Sequence, residues 1–140
     1  MTRTIVTLLF AAAVAACGSS PAGPSGFSVA GDWSGTWQFV TGGVTVTDSV
    51  TVSVTQDSAG NASGTWTAAS GASGRITFVA SSSISGSFTI SQTLLTGGSC
   101  QASSTLTGTA SASTITFAVA PISGTGLCQW ASNQQFSIRK

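Results

Sequence analysis

The sequence predicts an all-β domain, a single eight-stranded antiparallel up-and-down barrel that follows a signal peptide and a flexible tether. From residue 27 onward, apolar and hydroxylated residues alternate with a period of two, as in strands with one buried face. Clusters rich in Gly, Ser, Asn and Asp separate the apolar runs and favour turns. No segment after residue 26 shows the 3.6-residue period of an amphipathic helix.

The second strand is the clearest, because Val46, Val50 and Val52 alternate with hydroxylated residues such as Thr47 and Thr51. By the same criteria, strands are predicted at 31–40, 44–56, 62–69, 74–80, 84–93, 102–110, 113–120 and 127–138. Their connections are too short for crossovers, so neighbouring strands should pair antiparallel in chain order. A two-sheet sandwich would show the same alternation. The barrel is favoured because the chain has no long crossing connection and because closure leaves no edge strand.

Glycines follow hydroxylated residues at Gly35, Gly64, Gly86 and Gly108, roughly two strands apart each time. A glycine at these intervals relieves crowding where a tightly coiled sheet bends to close. The alternation also directs most of the Trp, Phe, Ile and Val side chains inward. At native packing density these side chains nearly fill an eight-stranded barrel, so we expect a shallow apolar site at one end instead of a deep cavity.

The first seventeen residues carry a different signal. Arg3 precedes an apolar segment over 5–16, which is too short to span a membrane and ends in Val14-Ala15-Ala16-Cys17. This run resembles the lipobox of bacterial lipoproteins, which implies cleavage before Cys17 and attachment of lipid to its sulfur. We therefore expect a signal peptide at 1–16, a lipidated cysteine and Gly/Ser/Pro tether at 17–26, and a barrel domain at 27–140. Gly18 resembles the sorting signal of lipoproteins in the outer membrane, so a lipid-anchored place in the bacterial cell envelope is expected.

Charge excludes some partners. After cleavage at Cys17, three cationic and three anionic side chains would remain, 3 − 3 = 0: Arg75, Arg139, Lys140, Asp32, Asp48 and Asp57. Without a basic stripe, nucleic-acid binding lacks its main driving force. We expect a monomer whose partners are the membrane, through the lipid, and a small apolar ligand.

Two cysteines remain once Cys17 is assigned to lipid. In an exported domain Cys100 and Cys128 are each other's partner, which predicts a disulfide. Two buried thiols or a metal pair are the alternatives. The chain has no His, so no metal site and no cofactor are expected.

Catalysis is disfavoured by the inventory of side chains. The chain has no His, Glu or Tyr, so a Ser nucleophile has no base. Asp32 and Asp48 could be imagined as a carboxylate pair for glycoside hydrolysis, but both also fit solvated or capping roles. Asp57 lies in a predicted hairpin turn, where Asp commonly caps the backbone. No catalytic residue is assigned.

The start of the first strand carries a second resemblance. Gly31-Asp32-Trp33 resembles the G-x-W motif of lipocalins, and Ser34-Gly35-Thr36-Trp37 resembles the opening of avidins. Both families are calycins, which are meander barrels. The lipocalin resemblance implies that Trp33 plugs the closed end and that Arg139, late in the last strand, lies over it. The chain lacks the lipocalin T-D-Y motif and has no Tyr for a biotin site.

The expected function is therefore a non-catalytic envelope lipoprotein that binds a small apolar ligand at a shallow barrel mouth. Trp130 is the tryptophan expected nearest the opening, and Trp37 and Trp66 are the other candidate ligand-binding residues, although both also fit the core. The alternative is a solid barrel whose outer surface contacts envelope polymer or a protein partner.

Overall fold

A computed structural model describes residues 26–93, 98–122 and 130–140, and these residues form a closed eight-stranded antiparallel barrel. Each strand pairs with its neighbours in the chain, and β1 pairs with β8 to close the ring. The strands are β1 Gly31–Thr41, β2 Val44–Gln56, β3 Asn61–Ala68, β4 Ser73–Val79, β5 Ser83–Thr93, β6 Ser99–Ala110, β7 Thr114–Val119 and β8 Gln134–Arg139. The predicted fold class is confirmed.

The boundary of the last strand differs from the prediction. The alternation places its start at 127, whereas β8 begins at Gln134. Trp130 instead forms an isolated antiparallel bridge with Ile122, with backbone N–H to carbonyl distances of 3.0 and 3.2 Å. Residues 131–133 bend between this bridge and β8. The apolar Trp130 therefore does not belong to the last strand.

The glycines of the inner face occupy positions that have no room for a side chain. A Cβ at Gly35, Gly86 or Gly108 would lie 2.0, 1.8 or 2.1 Å from a carbonyl oxygen of a neighbouring strand. Gly74, which the sequence pattern did not single out, is as crowded, with the Thr89 oxygen at 1.8 Å. These contacts show that the strands approach closely where the sheet coils, as the glycine spacing predicts.

The barrel has two ends, which we name by the first strand. The lower end contains Gly31, where β1 begins, and the upper end contains Thr41, where it stops. Antiparallel order places the turns after β2, β4 and β6 at the lower end. The turns after β1 and β3 lie at the upper end, together with the connections after β5 and β7, of which 94–97 and 123–129 are outside the described residues.

Candidate functional site

The middle of the barrel is filled by aromatic rings. Phe117 stacks on Phe136 with centroids 4.6 Å apart, and Phe136 stacks on Trp37 at 5.8 Å. On the opposite side, Trp66 stacks on Phe88 at 5.2 Å. All five side chains are almost completely buried. These packed rings leave no room for a ligand in the middle of the described part of the barrel.

The three tryptophans predicted to bind ligand are all brought together in this aromatic cluster. Trp37 makes edge contacts with Trp66 at 5.5 Å and with Trp130 at 6.3 Å. Trp130, the tryptophan expected nearest the opening, is only 6% exposed. Its neighbours in the chain suggested exposure, but its backbone bridge to Ile122 draws the ring inward. The tryptophans form the floor of the upper end.

Two hairpins extend beyond their neighbours at the upper end. The ladder between β2 and β3 ends at Val50 and Ala68, so residues 44–48 of β2 continue past β3. The ladder between β6 and β7 ends at Leu106 and Val119, so residues 99–104 of β6 continue past β7. Because β1–β2 and β5–β6 are four strands apart in a ring of eight, the two extensions stand on opposite sides of the barrel.

The inner faces of these extensions differ in chemistry. On the β1–β2 hairpin, Phe39 and Val46 are cross-strand partners and both are half-buried. The Phe39 ring lies 4.3 Å from the Trp37 ring, so it continues the aromatic cluster upward. On the β5–β6 hairpin, the half-buried Ala102 and Ser104 occupy inward positions. The upper end therefore has one aromatic wall and one wall of small side chains.

Gln134 is a buried polar residue that the sequence analysis missed. It starts β8 on the inner face, is fully buried, and its Oε1 accepts a hydrogen bond of 2.9 Å from Trp37 Nε1. Its Nε2 is buried without a hydrogen-bond partner. The sequence does hold a signal for this position. Gln134 lies two residues before the inward Phe136, and residues two apart along a strand share a face.

Asp48 is, after Gln134, another polar residue at an inward position. It lies on β2 between the inward Val46 and Val50. Its carboxylate accepts hydrogen bonds from the backbone N–H of Ser49 at 2.8 Å and of Ser70 at 3.0 Å. Burial alone would raise the pKa of Asp48, but hydrogen bonds from the Ser70 side chain and from the Ser70 and Ser49 backbone outweigh it and lower the pKa. Asp48 thus caps the β3–β4 turn in its ionised form.

The lower end is closed around Trp33, which is 2% exposed. Its Nε1 donates to the Val29 carbonyl at 2.8 Å, and the Val29 N–H donates to Gln56 Oε1 at 2.7 Å. The cation over the ring is Lys140, with Nζ 5.1 Å from the centroid, instead of the predicted Arg139. Arg139 follows the inward Ile138 and is exposed on the outer face, whereas Lys140 lies beyond the strand and reaches back across the end.

The cysteine predictions are only partly covered by the structure. Cys100 is buried on the inner face of β6, next to Gln92 in the β5–β6 ladder. Cys128 and Cys17 lie outside the described residues, as does all of the predicted signal peptide. The disulfide, the lipid attachment and the processing site therefore stay predictions.

Asp32 and Asp48 are not brought together. Asp32 is exposed near the lower end, opposite Ser53, whereas Asp48 is opposite Trp37. Five residues along β2 separate these partner positions, about 16 Å at the usual strand rise. Paired glycosidase carboxylates lie about 5–9.5 Å apart. Within the described residues, no three His, Cys, Asp or Glu side chains are grouped as metal ligands. No helix among these residues could cross a membrane.

Four open grooves on the outer face of the described residues have volumes of about 500, 470, 290 and 560 Å³. They adjoin one another. The 470 Å³ groove shares Thr51 and Thr67 with the 560 Å³ groove and Ser53 and Thr65 with the 290 Å³ groove, which in turn shares Thr55 with the 500 Å³ groove. Many of the hydroxyl groups bond across strands, as in the 2.8 Å contact between Thr51 and Thr67. This surface is hydroxylated and carries few charges.

Comparison with known proteins gave no family or relative from which a function could be inferred. No protein-family model, no curated protein and no solved structure matched the chain. The barrel is compatible with a calycin-like fold through its strand number and its up-and-down order.

Proposed function

We propose that this chain is a non-catalytic, lipid-anchored envelope protein whose barrel binds a small, largely apolar ligand at its upper end. The observation that carries the proposal is the pair of hairpin extensions that stand on opposite sides of the barrel above the tryptophan floor. Phe39 and Val46 supply half-buried apolar surface at this place. A concave apolar surface with few polar groups is the usual setting of a small-molecule site.

A titration tests the binding site. The full chain with Cys17→Ala, which removes the predicted lipid attachment point, is titrated with the neutral dye N-phenyl-1-naphthylamine. We expect saturable one-to-one binding, weakened about tenfold in Phe39→Ala because the ring's apolar contact area is lost. Val79→Ala is the matched control, since Val79 is a 49% exposed apolar residue at the lower end. Equal effects of the two variants would contradict a site at the upper end.

The anchor is tested separately. Cys17→Ala should abolish incorporation of labelled palmitate and move the protein out of the membrane fraction, while Cys100→Ala should leave both unchanged. Continued labelling of the Cys17 variant would refute the anchor without bearing on the binding site.

The outer grooves favour a second candidate function, a solid barrel that contacts neutral envelope polymer. Their hydroxyl groups are able to exchange hydrogen bonds with a polymer that carries hydroxyl groups itself. Sedimentation with purified cell-wall polysaccharide distinguishes the two functions. Thr51→Val and Thr67→Val should weaken sedimentation if this face binds polymer, and should not affect dye binding.

A further inference from the structure

We propose that the upper end selects planar ligands that are neutral or positively charged and carry a hydrogen-bond acceptor. Asp48 rejects anions, and the Gln134 amide donates to the acceptor. This inference rests on the proposed binding function and adds to it the chemical class of the ligand.

The residues involved lie on three adjacent strands. Gln134 is on β8, Trp37 on β1 and Asp48 on β2, and all three face inward. Trp37 is the cross-strand partner of Asp48, and its indole N–H donates to Gln134. Because cross-strand Cβ atoms lie about 4.5–5.5 Å apart, Asp48 stands beside Trp37 on one side, and Gln134 holds the indole from the strand on the other side.

The amide supplies the donor. Gln134 uses its oxygen to hold the Trp37 indole, and the N–H groups of its buried Nε2 have no acceptor. An unsatisfied buried donor costs about 1–3 kcal/mol, which an acceptor atom of a ligand would recover. Gln56 at the lower end also has a buried Nε2 without a partner, but its oxygen accepts from the Val29 backbone and no aromatic cluster surrounds it. Gln56 is therefore a natural control.

The carboxylate supplies the charge selection. Of the charged side chains that the structure describes, Asp48 alone lies at an inward position of the upper end. Arg75 is exposed on the outer face of β4, and Asp32, Asp57, Arg139 and Lys140 lie toward the lower end. An anionic ligand would meet a like charge with no cation to compensate, whereas the Trp37 and Phe39 rings and Asp48 all attract a cation.

Charge selection is tested with three probes that share a naphthalene ring: 2-naphthylmethanol, 2-naphthylmethylammonium and naphthalene-2-sulfonate. The full chain with Cys17→Ala is titrated with each probe, and binding is measured by ligand-detected NMR. The sulfonate should bind about tenfold more weakly than the alcohol, and the ammonium at least as tightly. Asp48→Asn should reduce the difference in affinity between the sulfonate and the alcohol. Asp57→Asn, which changes a carboxylate in a lower-end turn, should leave this difference unchanged.

The donor is tested with Gln134→Met, which keeps the length of the side chain but removes the amide. Binding of 2-naphthylmethanol should fall about fivefold or more, while binding of 2-methylnaphthalene, which has no acceptor oxygen, should change little. Gln56→Met should affect neither probe. Equal losses for both probes in Gln134→Met would overturn the donor role and assign the residue to the support of Trp37.

The outcomes separate this inference from the function on which it rests. If the sulfonate binds the unmutated site as tightly as the alcohol, the charge selection is wrong and the binding function stands. If no neutral probe saturates a chain whose circular dichroism and melting are those of a folded barrel, both fail.

Discussion

At the lower end of the barrel Trp33 is buried, and hydrogen bonds tie the chain that precedes β1 to its ring. At the upper end Trp37 packs against Trp66 and Trp130 beneath strands of unequal length. Each end holds a glutamine whose oxygen is used and whose Nε2 is not. At the lower end the oxygen accepts from backbone, and at the upper end from Trp37. The comparison indicates that the lower end serves closure and the upper end presents surface.

The largest expected effect separates these roles through Trp33→Ala. Removing this buried ring should lower the free energy of unfolding by about 3–5 kcal/mol, as large aromatic truncations in cores do. Dye binding per folded molecule should be unchanged, because the ring lies far from Phe39. Urea denaturation followed by titration below the transition measures both quantities. A parallel loss of binding would show that the two ends are coupled.

The predicted disulfide would act on the upper end, because Cys100 lies there on the inner face of β6. If Cys100 and Cys128 are joined, reduction should destabilise the fold by roughly 3 kcal/mol in the chain-entropy model. The unreduced chain with Cys17→Ala should show no alkylatable thiol by mass spectrometry. Two labelled thiols before reduction would sink the pairing.

A smaller effect concerns the cation over Trp33. Lys140→Ala should destabilise by about 0.5–1 kcal/mol, the range of an exposed cation–π contact, and by more than Arg139→Ala. Melting temperatures of the two variants compared with the parent give the order. The reverse order would restore Arg139 as the closing cation.

The smallest expected effect is on stability in acid. It is tested with one carboxylate from each end, Asp57 and Asp48. Hydrogen bonds from the Asn61 side chain and backbone, and from the Ala59 backbone, lower the pKa of Asp57, and the pKa of Asp48 is lowered as well. Since the folded pKa lies below the unfolded value of about 4, each group stabilises the fold above that pH. This contribution is lost as the pH falls through the folded pKa.

We therefore expect the melting temperatures of Asp48→Asn and Asp57→Asn to lie below that of the parent at pH 7 and to converge with it near pH 2. Differential scanning calorimetry over this range measures the convergence. A difference that does not depend on pH would mean that the substitutions act through lost turn geometry and not through charge.

The strands were predictable because the alternation is a local property of the chain. In β2 it places Val50, Val52 and Val54 on one face, and this does not depend on which strands pair with β2. The period of two also places Asp48 and Gln134 on the inner face. Gln134 was missed because a polar residue was not considered for an inward position, whereas Asp48 was considered for a capping role, which the Ser70 contact shows. The stagger of the hairpins was not predictable, since it depends on where each ladder stops. Lys140 was missed because it lies beyond the alternating strand and its position depends on a flexible side chain.

Closure of the ring has a consequence for how the chain folds. The ladder between β1 and β8 pairs Gly35 with Ile138, so it forms only when almost the whole domain has been made. Pairing over such sequence distances is slow. Until β8 docks, β1 and β7 are two unpaired edges in a chain with few charges, which is the condition under which strands of different molecules join. Docking of the six residues of β8 therefore removes both free edges at once, and it is the step that protects each copy of the protein from its neighbours.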